Sequence, residues 1–281
     1  MSEAVSSRTD TLLTGVVAAG AAAATYAALT RLPAGLRAPW ERTNHAGRTV
    51  TLLEGPAHAL GLAAGAGLAG PAPVVAALGS AAFGALDDLR GDASSKGLRG
   101  HLRAAAQGRI TTGLVKVGGL AVTGLAAAAL LDRSATLASH ERRATVTSTL
   151  VGGAVIAGTA NLVNLLDLRP GRALKAGLLG AAPLVLGGPS RSRTAGAVIG
   201  ASLGVIAPDL RGEAMLGDTG ANALGAVLGT ALIDGLGART RLFALGVLTA
   251  LTLASEKVSF TKVIESTPVL RELDQWGRPS R

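Results

Sequence analysis

The chain contains no cysteine, which excludes disulfides, thiolate metal sites and cysteine nucleophiles, and leaves oxygen or imidazole as the only donors for a metal. Aromatic residues are nearly absent as well: 2 Trp, 1 Tyr and 3 Phe stand beside 39 Gly. Helices of that composition pack through small residues, as bilayer helices do when their backbones approach closely. Charged residues make up only 16% of the chain against 48% hydrophobic ones, and the mean hydropathy is +0.42. That balance excludes a soluble enzyme and puts most of the chain in lipid.

Apolar runs bounded by proline, glycine and charge predict nine spans, at about residues 11–29, 56–70, 72–86, 110–131, 145–166, 173–187, 194–208, 220–236 and 241–255. The expected fold is therefore all-α, a polytopic transmembrane bundle of about nine spans, with ten as the alternative where glycine-rich stretches blur the boundaries. Residues 1–255 form the transmembrane domain, and 256–281 a cytoplasmic amphipathic tail. Of the 27 Lys and Arg, 18 fall on the side reached after odd-numbered spans, 8 fall on the other, and Lys116 lies inside the fourth span. The positive-inside rule then puts the N-terminus outside, the C-terminus in the cytoplasm and the protein in the plasma membrane. The net charge of +9 reports this orientation, and no nucleic-acid partner is expected.

Polar residues gather on that same cytoplasmic face, in clusters around Arg42 to Arg48, Asp87 and Asp88, Asn161 to Asp167, and Gly217 to Gly220. Asn161, Asn164 and Asp167 recur every three residues along one stripe of the fifth span. Carboxylates at several helix ends on one face suit a hard cation such as Mg²⁺, which takes oxygen ligands and shares them with phosphate and water. The Gly217-Asp218-Thr219-Gly220 turn before a helix offers backbone N–H groups to an anionic phosphate. Arg42, His45 and Arg48 add cationic donors. These are parts for phosphoryl transfer at a membrane surface.

In this order, Arg42-x-x-His45, Asp87-Asp88, Asn161-x-x-Asn164-x-x-Asp167 and Gly217-Asp218-Thr219-Gly220 resemble the polyprenyl-phosphate N-acetylhexosamine-1-phosphate transferase family. That family includes phospho-MurNAc-pentapeptide translocase and undecaprenyl-phosphate GlcNAc-1-phosphate transferase. The resemblance implies a multi-span, Mg²⁺-dependent enzyme that moves a sugar phosphate from a UDP-sugar onto polyprenyl phosphate and releases UMP, starting a lipid-linked cell-envelope glycan. By motif, Asp87 and Asp88 serve the lipid-phosphate nucleophile, with Asp87 as its base. Asp218 and Asp167 hold Mg²⁺, while Arg42, His45, Asn164, Asp167 and Thr219 bind the substrates; Lys116 joins them on its position alone, as an ionisable group inside a span. A homodimer is among the assemblies the resemblance allows.

The chain departs from the family pattern in three places. The third motif runs Asp167-Leu168-Arg169-Pro170-Gly171 and lacks a second carboxylate. Met215 stands where an aromatic commonly stacks on uracil, and no histidine follows His140, so the family's late histidine loop is missing. These losses favour, as the alternative, a non-catalytic relative that binds polyprenyl phosphate or a lipid-linked precursor. A small-solute transporter ranks last, because its polar groups would sit near the bilayer midplane. Plainer readings remain for single residues: Asn161 as interhelical glue, Lys116 snorkelling to the interface, and Glu256, Lys257, Lys262 and Glu265 as a solvated face of the tail.

Overall fold

The structure, a computed structural model, describes residues 2–44, 47–90, 107–108, 111–138 and 145–279. It is 80% helical. The helices are α1 (Ser2–Leu29), α2 (Ala34–Arg37), α3 (Glu54–Ala66), α4 (Pro71–Arg90), α5 (Thr112–Ala138), α6 (Val146–Leu166), α7 (Arg172–Ala181), α8 (Pro189–Leu210), α9 (Gly217–Ile233), α10 (Ala238–Ser255), α11 (Phe260–Ser266) and α12 (Pro268–Gln275).

Helix α9 is the hub. It is buried along nearly its whole length and packs against α3, α4, α6 and α8. Its sequence explains why, since Gly220, Gly225 and Gly229 bring backbone against backbone: a side chain at Gly225 would run into Thr159 and Ala160 of α6. Gly200 of α8 lies so close to α1 that a Cβ there would collide with the backbone of Gly15. Where large rings are missing, glycine and alanine seams supply the packing.

Among the described residues, four helices are long and apolar enough to cross a membrane: Ser7–Leu29, Pro71–Arg90, Thr112–Leu137 and Val146–Leu166. A fifth crossing is available if Ala238–Ser255 and Phe260–Ser266, bent by 92° at their junction, count as one broken span. The other expected spans fold into shorter or more polar helices. α3 has 13 residues and α7 has 10, whereas about 20 are needed to cross unaided. Their backbones lie against protein, so they need no lipid-matched length.

The expectation of an all-α chain needs a small correction. Strands β1 (Glu41–Thr43) and β2 (Thr49–Thr51) pair antiparallel, Arg42 opposite Val50. Thr51 also ties this hairpin to the segment that leads into α9: its amide donates to Glu213 O at 3.2 Å, and its carbonyl accepts from Met215 N at 3.0 Å. The hairpin therefore carries Arg42 and Arg48 to the mouth of the helix hub. Beyond α10, helices α11 and α12 turn back, and α12 lies beside the start of α7 through contacts of Asp274 with Arg172 and Lys175.

Candidate active site

The acidic C-terminal turn of α4 meets the N-terminus of α9, and this junction gives the site its geometry. Two adjacent carboxylates at a helix C-terminus face an unfavourable dipole end, so each needs positive charge or N–H groups from elsewhere. Asp87 finds it in Lys116, one turn into α5, whose Nζ lies 2.7 Å from Asp87 Oδ2. The same Nζ lies 2.7 Å from Asp218 Oδ2, so one ammonium bridges two of the expected catalytic carboxylates. Lys116 therefore turns inward instead of snorkelling.

Asp88 does something else. Its Oδ1 accepts from the Asp218 amide at 3.0 Å, and its Oδ2 accepts from the Thr219 amide at 2.9 Å and the Thr219 hydroxyl at 2.6 Å. It caps α9 from another helix, the role an N-cap side chain normally plays locally. Gly217, at φ +59°, has its α-carbon against the Asp88 carboxylate, a left-handed turn with no room for a side chain. Gly84 is packed against the Asp218 backbone in the same way.

Three expectations change here. The Gly217–Gly220 turn is not open to a phosphate: its amides go to Asp167, Asp88 and Leu216. Thr219 is 2% exposed and spends its hydroxyl on Asp88, which removes it from substrate contact. Asp88 accepts from the α9 N-terminus with both oxygens, whereas Asp87 and Asp218 share the Lys116 ammonium.

Beside the junction opens a cavity of about 590 Å³ whose wall includes Arg42, Arg48, Asn164, Asp167, Asp209 and Asp218. Arg42 donates to Pro39 O at 3.0 Å, to Glu41 O at 2.7 Å and to Asp88 O, which fixes its guanidinium over the junction. Asn164 and Asp167 line the cavity as expected, while Asn161 reaches Thr252 of α10 at 3.5 Å, as interhelical glue. Arg169 and Met215 also line it, and no aromatic side chain does among the described residues. His45 lies outside the described residues.

Sequence reasoning missed Asp209 and Glu54. Asp209, 1% exposed at the end of α8, accepts the Gly171 amide at 2.8 Å and so sets the loop that carries Asp167. Glu54, fully buried at the start of α3, faces Asp209 and Asp167. Burial and these two carboxylates push the Glu54 carboxyl well above the usual range, and burial raises Asp209 to about 6. The available signal was a lone acid beside Pro208 and another opening an apolar stretch, each of which reads as an ordinary solvated helix end.

Among the described residues, no three carboxylate or imidazole side chains converge as a metal site. Mg²⁺ does not require that, because it is commonly held by one or two carboxylates with substrate phosphate and water completing the shell. Asp87 and Asp218 fit that demand, since their oxygens already share one cation, the Lys116 ammonium. Asp87, not Asp167, is thus the carboxylate paired with Asp218. Compared with models of known protein families and with curated proteins, the chain matches none.

Proposed function

We propose that the protein transfers a sugar-1-phosphate from a nucleotide-diphosphate sugar to polyprenyl phosphate, with Mg²⁺, at the cytoplasmic face of the plasma membrane. The observation that carries this reading is the junction itself: Lys116 between Asp87 and Asp218, beside a cavity edged by Arg42 and Arg48. The proposal keeps the nine-span bundle by counting α3 and α7 as membrane-embedded segments packed on protein, and keeps the C-terminus inside, for which the distribution of Lys and Arg is the support.

The reaction needs one phosphate oxygen of the lipid to attack the β-phosphorus of the donor while the bond to the bridging oxygen breaks and nucleoside monophosphate leaves. The charge to be managed is large, so positioned cations supply most of the catalysis. Arg42 and Arg48 face the donor's diphosphate. Lys116 draws the attacking phosphate to the junction, and Asp87, its ion-pair partner, accepts the proton, while Asp88 is engaged by the amides of α9. Held at Asp218, Mg²⁺ would neutralise charge building on the transferred phosphoryl group, which leaves Asp87 to the proton.

The test is purified protein in detergent with Mg²⁺, undecaprenyl phosphate and a panel of UDP-sugars, followed by release of nucleoside monophosphate beside an Asp218→Asn control. Release that depends on lipid and is lost in the control supports the transferase. A second reading, a non-catalytic binder of polyprenyl phosphate, draws on the filled Gly217–Gly220 turn and the cavity's lack of an aromatic. Lipid binding with no release from any donor would favour it.

A further inference from the structure

The loop Asp167–Gly171, which joins α6 to α7, supplies four residues to the cavity wall: Asp167, Leu168, Arg169 and Pro170. Two cations beside this loop, Arg172 and Lys175, reach away from the cavity to the C-terminal tail, and one of the tail's own reaches back. Arg172 grips Asp274 with two bonds, Nε to Oδ1 at 2.7 Å and Nη2 to Oδ2 at 3.1 Å, and donates to Thr261 at 2.9 Å. Lys175 donates to the carbonyls of Leu273 at 3.0 Å, Asp274 and Trp276 at 3.2 Å, which end helix α12. Arg278 closes the circuit: one nitrogen meets Asp274 Oδ1 at 2.8 Å, and Nε donates to the carbonyl of Pro170 at 2.9 Å. At the rim, Arg169 pairs with Glu265 at 3.0 Å.

The arrangement is too costly to be incidental. Arg172 and Asp274 are 5% and 8% exposed, and a buried guanidinium–carboxylate pair holds only when its geometry and remaining hydrogen bonds are satisfied. Asp274 is the acceptor on which both arginines converge. From the other side, Asp209 holds the Gly171 amide, so the loop is fixed between helix α8 and the tail.

We propose that Asp274 is a positioning residue: through Arg172 and Arg278 the tail clasps the Asp167–Gly171 loop and sets the donor-facing wall of the cavity. This rests on the transferase reading above. The clasp touches neither Asp87 nor Lys116, so loosening it misplaces the wall that binds donor and leaves the junction intact. A loss of that kind raises KM and spares kcat.

The experiment uses the full-length protein in detergent with the donor identified as above. Asp274→Asn is expected to raise the donor KM by roughly tenfold with kcat within about twofold. Asp274→Glu, which keeps the charge, should restore most of the loss. Hydrogen exchange of the peptide covering Asp167–Gly171 should rise in Asp274→Asn. Arg278→Gln, which removes the Pro170 contact and leaves the Arg172 pair, gives the same reading if Asp274→Asn does not fold. A fall in kcat alone, or unchanged exchange across the loop, overturns the clasp. If the wild type releases nothing with any donor, the transferase reading fails, and exchange alone decides whether the clasp exists.

Discussion

Asp88 caps the helix that carries Asp218, its Oδ1 accepting the Asp218 amide at 3.0 Å, while its neighbour Asp87 turns to Lys116. Two identical side chains in sequence therefore hold different partners: Asp88 caps α9, and Asp87 pairs with the Lys116 ammonium, the arrangement in which the proposed transfer would use it as the proton acceptor. Asp87→Asn should cut nucleotide release by ~10²-fold or more, the usual loss when a positioned proton acceptor is removed, with the thermal midpoint little changed. Asp88→Ala should instead destabilise the fold by about 1–2 kcal/mol by stranding two amides of α9. Equal stability of the two variants in a detergent melt would refute this division.

The neighbours at 87 and 88 also show how far the sequence could be read. Asp87, Asp88, Asn164, Asp167 and Asp218 were legible as one cluster, because each stands at the polar end of an apolar stretch and such ends share a face, whereas Lys116 lay inside an expected span and read equally as a snorkelling side chain. Which of two adjacent aspartates points where depends on a rotation of about 100° around the helix and on what packs there, and no pattern in the sequence records it. Glu54 and Asp209 escaped because burial was their distinguishing feature. The hairpin escaped because Glu41-Arg42-Thr43 and Thr49-Val50-Thr51 are three residues each, shorter than any reliable alternation. The segments at α3 and α7 were read as spans because apolar content says a segment is buried, and not whether lipid or protein covers it.

Met215 leaves the cavity without a stacking surface. Stacking of a base on an aromatic ring contributes about 1–3 kcal/mol, so Met215→Phe should tighten nucleoside monophosphate binding by about tenfold, purines more than pyrimidines. Titration of UMP and AMP into both proteins measures this. Weaker binding in the variant would mean that the base lies elsewhere.

The clasp has a pH signature. Burial alone would raise the Asp274 pKa, but the Arg172 and Arg278 guanidiniums outweigh it and hold the carboxyl below its ordinary 3.8. A carboxyl depressed on folding contributes stability that is fully present above the unfolded value and lost as pH falls through the folded one. Exchange protection of the tail should thus stay constant from neutral pH to just above 3.8 and fall only below it. Protection lost near pH 6 would assign the tail's docking to another group.

Lys116 occupies the oxygens that a divalent cation would need, and this makes a prediction independent of turnover. The ammonium lies 2.7 Å from both Asp87 and Asp218, so it competes with Mg²⁺ for the same charge. Removing it in Lys116→Gln relieves one unit of repulsion, which at ~4 Å in a half-buried site amounts to a few kcal/mol. Mg²⁺ should then raise the thermal midpoint of the variant at concentrations on the order of a hundredfold or more lower than in the wild type, since about 1.4 kcal/mol of affinity is a factor of ten and a ligand of the folded state stabilises through its concentration relative to Kd. The variant should also lose transfer, because the attacking phosphate loses its counter-charge. If Mg²⁺ shifts both proteins at the same concentration, the metal binds away from the Asp87–Asp218 pair, and Lys116 alone is the cation of this junction.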